Sequence, residues 1–169
     1  SYLFQGSSYL SPRAYGIMHR VHHAYPDTEK DVHSPKFSKG LWDMMMKTKD
    51  IYNNYLHERV NIEDRFKGNV PEWSFIDKLG DMWLNRLFFA ILYIVFYWYF
   101  DAEWWMYCTL LPIQFVMGPF HGAIINWFAH KYGYRNFKMY DTSTNLLPFD
   151  FLMWGESYHN NHHKRGQNP

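Results

Sequence analysis

Residues 83–100 read WLNRLFFAILYIVFYWYF, residues 101–103 read DAE, and residues 104–128 read WWMYCTLLPIQFVMGPFHGAIINWF. As an α-helix the first run is about 27 Å long, close to the hydrocarbon thickness of a bilayer, and the second runs a similar distance back. Two apolar segments joined by so short a polar link predict a helical hairpin in lipid. Trp98, Trp104 and Trp105 fall at its tip and Trp83 at the opposite boundary. An indole, with an apolar body and a polar edge, is favoured at such a membrane–water boundary. The tip is acidic (Asp101, Glu103), whereas Lys78, Arg86, Lys131, Arg135 and Lys138 flank the base. The positive-inside rule therefore expects the base on the cytoplasmic side. A buried helical pair in a water-soluble core is the alternative, and it gives no reason for tryptophan at both boundaries.

On the N-terminal side, residues 2–10 read as the tail of an apolar segment, and the chain is expected to be part of a longer protein. SPRAYGIMHRVHH (11–23) has a helix entry, with Ser11 as N-cap and Pro12 at the first helical position. Pro26 breaks that helix. From 37 to 80 the pattern is amphipathic, with Trp42, Met45, Ile51, Tyr55 and Leu56 among charges, which predicts water-side helices. Pro71 restarts a helix whose Trp73, Ile76 and Leu79 line a membrane surface. The expected fold class is all-α: one domain, residues 1–169, with a membrane helical hairpin over 82–130. A cytoplasmic helical cap comes from 1–36, 37–81 and 131–169.

Composition narrows the partners. The net charge of +1 gives no electrostatic case for nucleic acid. The single cysteine, Cys108, excludes an internal disulfide and any multi-cysteine metal site. What stands out is histidine, 10 in all. HRVHHAYPDTEKDVHSP (19–35) holds His19, His22 and His23 as H-x-x-H-H, and GESYHNNHHK (155–164) repeats the spacing at His159, His162 and His163. On a helix these positions share one face, so each triplet aims three imidazoles one way. Left without a cation, six half-buried rings would repel as they took up protons, whereas neutral imidazole is a good ligand for iron, zinc or copper.

The hairpin returns the chain to its starting side, so the two triplets can meet. NWFAHKYG (126–133) adds His130, four residues after Asn126 and on the same helical face. Seven candidate ligands exceed what one zinc takes and suit two metals with open positions. Asp27, Asp31 and Glu156 are candidates to accept the outer ring N–H groups, and His33 is a candidate neighbour of the first triplet. An ordinary solvated turn is the plainer reading of DTEKD. His121 lies about 180° around the helix from His130 and reads as a packed or interfacial residue, and His57 reads as a surface residue.

With those motifs the chain resembles the integral-membrane fatty acid desaturases, in particular their delta-9 acyl-CoA/acyl-lipid branch. HRVHHAYPDTEKDVHSP is similar to the second histidine box of that family and GESYHNNHH to the third. NWFAHKYG is similar to the segment supplying a further histidine ligand and an asparagine, here Asn126, that holds a metal-bound water. A first box, H-x-x-x-x-H, is expected upstream together with two further spanning helices, and its absence leaves the fragment expected to be inactive alone. Val32 stands where related sequences commonly have proline.

The resemblance implies two iron ions and O2 as co-substrate, removing two hydrogens from a saturated acyl chain to leave a cis double bond. It implies a fatty acyl-CoA or acyl-lipid substrate in or at membrane lipid. No G-x-G-x-x-G and no cysteine cluster is present, so electrons are expected from an external donor of ferredoxin, rubredoxin or cytochrome b5 type with its reductase. Lys36, Lys39, Lys47 and Lys49 are candidates to meet phosphates or an acidic donor, or form a plain basic surface. Two other readings of the motifs are a histidine-box hydroxylase or ketolase, and a truncated metal-binding membrane protein without catalysis.

Overall fold

The computed structural model describes residues 2–31, 33–151, 153 and 155–166, and they are helical throughout their regular structure. A short helix α1 (Tyr2–Gln5) runs into a 3-10 turn (Gly6–Ser8) and then α2 (Pro12–Ala24). Helices α3 (Leu41–Leu56), α4 (Asp64–Lys67) and α5 (Ser74–Asp81) follow, then the apolar pair α6 (Trp83–Tyr99) and α7 (Trp104–Phe128), and last α8 (His159–Lys164). Among the described residues the only extended pairing is a single bridge between Tyr134 and Asn145.

Ser11 caps α2 by accepting a hydrogen bond from the Ala14 amide, and Pro12 occupies its first turn. Ala14, Ile17, Met18 and Val21 form its buried stripe, packed on Tyr52 of α3, Ile62 and Phe66. Truncating a residue such as Ile17, 1% exposed, costs about 2–5 kcal/mol. In α3 the residues turned inward are Met44 and Tyr52, whereas Trp42 is 68% exposed. The amphipathic pattern expected there is present: Ile51, Tyr55 and Leu56 are half-buried against the α2 core, and of the residues named for it only Trp42 faces out.

Helix α7 is 25 residues long, its most apolar 18-residue window has a mean hydropathy of 1.4, and only 17% of that window is buried inside the protein. It is long and apolar enough to cross a bilayer, and it leaves Leu110, Val116 and Phe120 exposed. Helix α6 is shorter, 17 residues, and reaches spanning length only together with α5, from which it is bent by 72°. The bend lies at Met82, in extended conformation. Trp73 and Phe75 of this elbow are exposed, as are Met82 and Trp83.

The elbow is held from the N-terminus. Tyr9 donates its hydroxyl to Asp77 at 2.6 Å, and Arg86 donates to the Ser7 and Tyr9 carbonyls. The Tyr9 ring lies so close over Gly80 that a Cβ there would sit 2.1 Å from it, so only glycine fits. The turn at Gly6–Ser8 packs against both α6 and α7. The start of the chain thus clamps the apolar pair to the helices that carry the histidines.

Candidate metal centre

Three segments converge where α2 ends. Helix α2 brings His19, His22 and His23; the turn after α7 brings His130; α8 brings His159, His162 and His163. Helix α7 stops at Phe128, so His130 lies two residues past its end, in the turn that follows, and not on the helical face it was expected to share with Asn126. The Thr144 amide and hydroxyl hold the Ala129 carbonyl and fix that turn. Helix α8 is placed by Asn160, fully buried, whose side chain accepts from the Asn136 and Phe137 amides and donates to the Phe137 and Ser143 carbonyls.

The imidazoles sort into two groups: His22, His130, His159 and His163, all buried, and His19, His23 and His162, half-buried. In each group the ligand atoms lie within 4.8 Å of one another. The closest approaches join Nε2 to Nε2: 3.0 Å for His22–His163, 3.0 Å for His130–His159, and 2.9–3.1 Å around the triangle of His19, His23 and His162.

These contacts cannot all be hydrogen bonds between neutral rings. The Asp31 carboxylate takes the Nδ1–H of His22 at 2.7 Å and Asp141 that of His163 at 3.1 Å. Both rings therefore face each other with Nε2 lone pairs. His130 gives its Nδ1–H to the Thr142 hydroxyl at 3.2 Å, and that hydroxyl donates on to Asp27. In the triangle each Nε2 either donates or accepts, so three mutual contacts cannot all be satisfied.

A cation resolves this, and protons are disfavoured. Burial first, then the neighbouring imidazoles, pushes His19 down to about 3 and His23 down to about 2. The same causes hold His159 well below its ordinary value. Burial alone would raise Asp27, Asp31 and Asp141, but hydrogen bonds from His130 and Thr142, from His22, and from His163 and Ser143 outweigh it and keep all three below the usual carboxylate range. Neutral rings with fixed tautomers, inward lone pairs and anionic outer partners are a donor set that fits metal ions.

The other candidates lie as follows. Asp27, at a left-handed φ of 58°, ties the turn after α2 to Thr142 and sits 3.7 Å from His130 Nδ1. His33 is buried edge-on against His22, with Nδ1 3.4 Å from the Thr48 hydroxyl. Glu156 is exposed and, among the described residues, takes no ring N–H; Asp141 does so instead. Asn126 is half-buried in the last turn of α7 and donates its amide to the Gly122 carbonyl. His121 joins neither group, and His57 pairs with Asp81 at the surface. Sequence reading missed Asp141, Thr142, Asn145 and Asn160. The one signal for the first three was the density of hydroxyl, carboxylate and carboxamide side chains in DTSTN (141–145), and Asn160 stood inside the H-x-x-H-H repeat itself.

This geometry accompanies a family: the chain belongs to the fatty acid desaturases, whose family model matches residues 2–167. Among curated proteins it is 30% identical over 151 residues to the sn-1 stearoyl-lipid 9-desaturase of Anabaena variabilis, covering 86% of this chain and 50% of that one. It is 31% identical to the delta-9 acyl-lipid desaturase 2 of Arabidopsis thaliana, over 86% of this chain and 45% of the relative. To the icosanoyl-CoA 5-desaturase of Limnanthes douglasii it is 33% identical, over 86% and 39%. The chain thus spans about half the length, or less, of the curated relatives it matches. No solved structure matches it.

Proposed function

We propose that the protein is an oxygen-dependent fatty acyl desaturase that places a cis double bond in a saturated acyl chain. In this reading two iron ions are held by His22, His130, His159 and His163 and by His19, His23 and His162. The observation that carries it is the convergence of seven imidazoles on Nε2, with Nδ1 of His22 and His163 fixed outward by carboxylates. The 2.9–3.1 Å triangle would let His19, His23 and His162 hold one ion together, and seven imidazoles exceed the four ligands of a single closed zinc site.

When bound, the iron pair would supply the oxidant for an unactivated C–H bond, with O2 as co-substrate, which no amino-acid side chain supplies. The chain's own residues orient and exclude. Asp31, Asp141 and the Thr142–Asp27 pair keep protons on the outer ring nitrogens, and burial keeps water from the four-histidine group. Asn126 is assigned to a water of the centre, with His33 beside His22 in its polar surround. The apolar pair α6 and α7 would keep the centre beside lipid, at the cytoplasmic face, within reach of an acyl-lipid or acyl-CoA substrate. Electrons would come from an external ferredoxin, rubredoxin or cytochrome b5 type donor with its reductase.

The test is product analysis. The complete reading frame, expressed with a donor system in a host fed a saturated acyl substrate, is expected to yield the cis-monounsaturated chain. Hydroxylated product alone would refute the assignment.

A further inference from the structure

We infer that Asn145 is the positioning residue of His159, and that the extended run 141–145 sets α8 against the turn that carries His130. The inference rests on the proposed function only in reading these histidines as metal ligands.

His159 is the odd ring of its group. Nδ1 of His22, His130 and His163 each meets a carboxylate or a hydroxyl, whereas the buried Nδ1 of His159 has no partner among the described residues. Nothing at the ring fixes its direction, so its backbone must. That backbone opens α8, where the first amides have no acceptor inside the helix and Tyr158 supplies no side-chain cap. The Asn145 carboxamide takes the place of a cap. Its oxygen accepts from the Asn160 amide at 3.0 Å and the Asn161 amide at 3.3 Å, and its nitrogen donates to the Asn161 side chain at 3.2 Å. Asn145 is itself fully buried, and its backbone exchanges hydrogen bonds with Tyr134 at 2.7 and 3.0 Å. A Cβ on Gly133, at a φ of 124°, would sit 2.1 Å from the Asn145 carbonyl oxygen, so this bridge closes only over glycine.

Side chains of an extended run alternate in direction, so consecutive residues can serve two elements at once. The odd positions serve α8. Asp141 takes the Nδ1–H of His163, Ser143 accepts from the Asn160 side chain through its carbonyl and hydroxyl at 3.2 and 3.3 Å, and Asn145 takes the two amides. The even positions serve the turn after α7: Thr142 takes the His130 Nδ1–H and Thr144 holds the Ala129 carbonyl. Asp141, Ser143, Asn145, His159 and Asn160 are all buried. The run is a splint between two histidine-bearing elements, and it fixes the 3.0 Å approach of His130 Nε2 to His159 Nε2. Without the Asn145 oxygen the start of α8 is free to shift, carrying His159 away from His130 while Asp141 still holds His163.

The test is Co2+ binding by the complete reading frame, stripped by chelator in micelles and read by visible absorption against a competing chelator. Asn145→Ala should weaken binding about 10–100-fold, the usual cost of losing an outer support of a metal ligand, and shift the visible band. Asn145→Ser, which leaves less empty space, should do the same. Asn145→Asp keeps an acceptor for both amides and should bring back the wild-type band and affinity. Ser8→Ala, a destabilising change in the clamp on α7, should lower the melting temperature and leave band and affinity unchanged. Wild-type band and affinity in Asn145→Ala or Asn145→Ser, no rescue by Asn145→Asp, or an equal loss in Ser8→Ala overturns the inference and leaves the proposed function standing. So does unfolding of both shortened variants while Asn145→Asp folds, since Asn145 would then support the fold alone. No Co2+ bound by the unmodified protein overturns the proposed function as well.

Discussion

The Ser8 hydroxyl donates to the Phe115 carbonyl at 3.0 Å, and that carbonyl is the one Pro119 leaves without an amide partner. Within α7 it would accept from the amide of residue 119, which proline lacks. Gly118 lies alongside; a Cβ there would sit 3.3 Å from the Ser8 Cβ. The turn ahead of α2 is thus fastened to the spanning helix where that helix has a vacant acceptor. This joins the histidine-bearing part to the apolar part.

Ser8→Ala should therefore destabilise the protein by about 1–3 kcal/mol, the cost of a buried acceptor left unpaired. Thermal melts in micelles measure it. In a Pro119→Ala background the amide of residue 119 can return to Phe115, so the same substitution should cost less. An equal cost in both backgrounds would mean that Ser8 acts through something other than this carbonyl.

Asp27 carries a second joint. Its carboxylate accepts from the Ser34 hydroxyl at 2.9 Å, the Thr142 amide at 2.5 Å and the Thr142 hydroxyl at 2.8 Å. Asp27→Ala removes all three acceptor contacts and places alanine at a φ of 58°, which favours Asn, Asp or Gly. A loss of about 2–4 kcal/mol is expected, together with faster hydrogen exchange at the Thr142 amide. Asp27→Asn tolerates the backbone and should cost less. Unchanged exchange at Thr142 in the alanine variant would disprove the link.

The legible parts of the fold were those with local causes. Ser11 and Pro12 start α2 wherever they stand, and H-x-x-H-H spacing on a helix puts three rings on one face. The apolar runs around 101–103 declare α6 and α7 by length alone. What was illegible depends on distant partners. Nothing at Met82 marks the 72° bend; Gly80 two residues earlier is needed only because Tyr9 crosses it. The end of α7 at Phe128 rests on Thr144 holding Ala129, sixteen residues after the helix ends. Asp141 and Asn160 look like ordinary loop and helix-end polar residues until the fold sets one against His163 and ties the other, from α8, to the backbone of Asn136, Phe137 and Ser143.

Membrane sidedness can be tested with the single cysteine. In a Cys108→Ser background, Glu103→Cys at the α6–α7 tip and Lys138→Cys beyond the base should label from opposite sides with a membrane-impermeant maleimide. The position 138 probe is expected to react only from the cytoplasmic side. Labelling of both from one side would overturn the hairpin as a spanning unit.

Acid should unfold the metal-free chain in two stages, the first set by histidine. His19 is held at about 3 and His23 at about 2, against 6.5 for a free ring. Between those values the unfolded chain binds protons that the folded chain refuses, so stability is full above about 6.5 and falls steadily as pH drops below it. Buried His33, also held well below its ordinary value, adds in the same direction. The carboxylates Asp27, Asp31 and Asp141 are depressed, so their contribution is present above about 3.9 and is lost only at lower pH. Urea melts with chelator present should show a falling midpoint from about pH 6.5 to 4.5 and a steeper fall beneath. Saturating metal should move the first stage to lower pH, because protons must then compete with the ion for the same lone pairs. A midpoint flat from pH 7 down to the carboxylate range would show that the rings are not held neutral by burial.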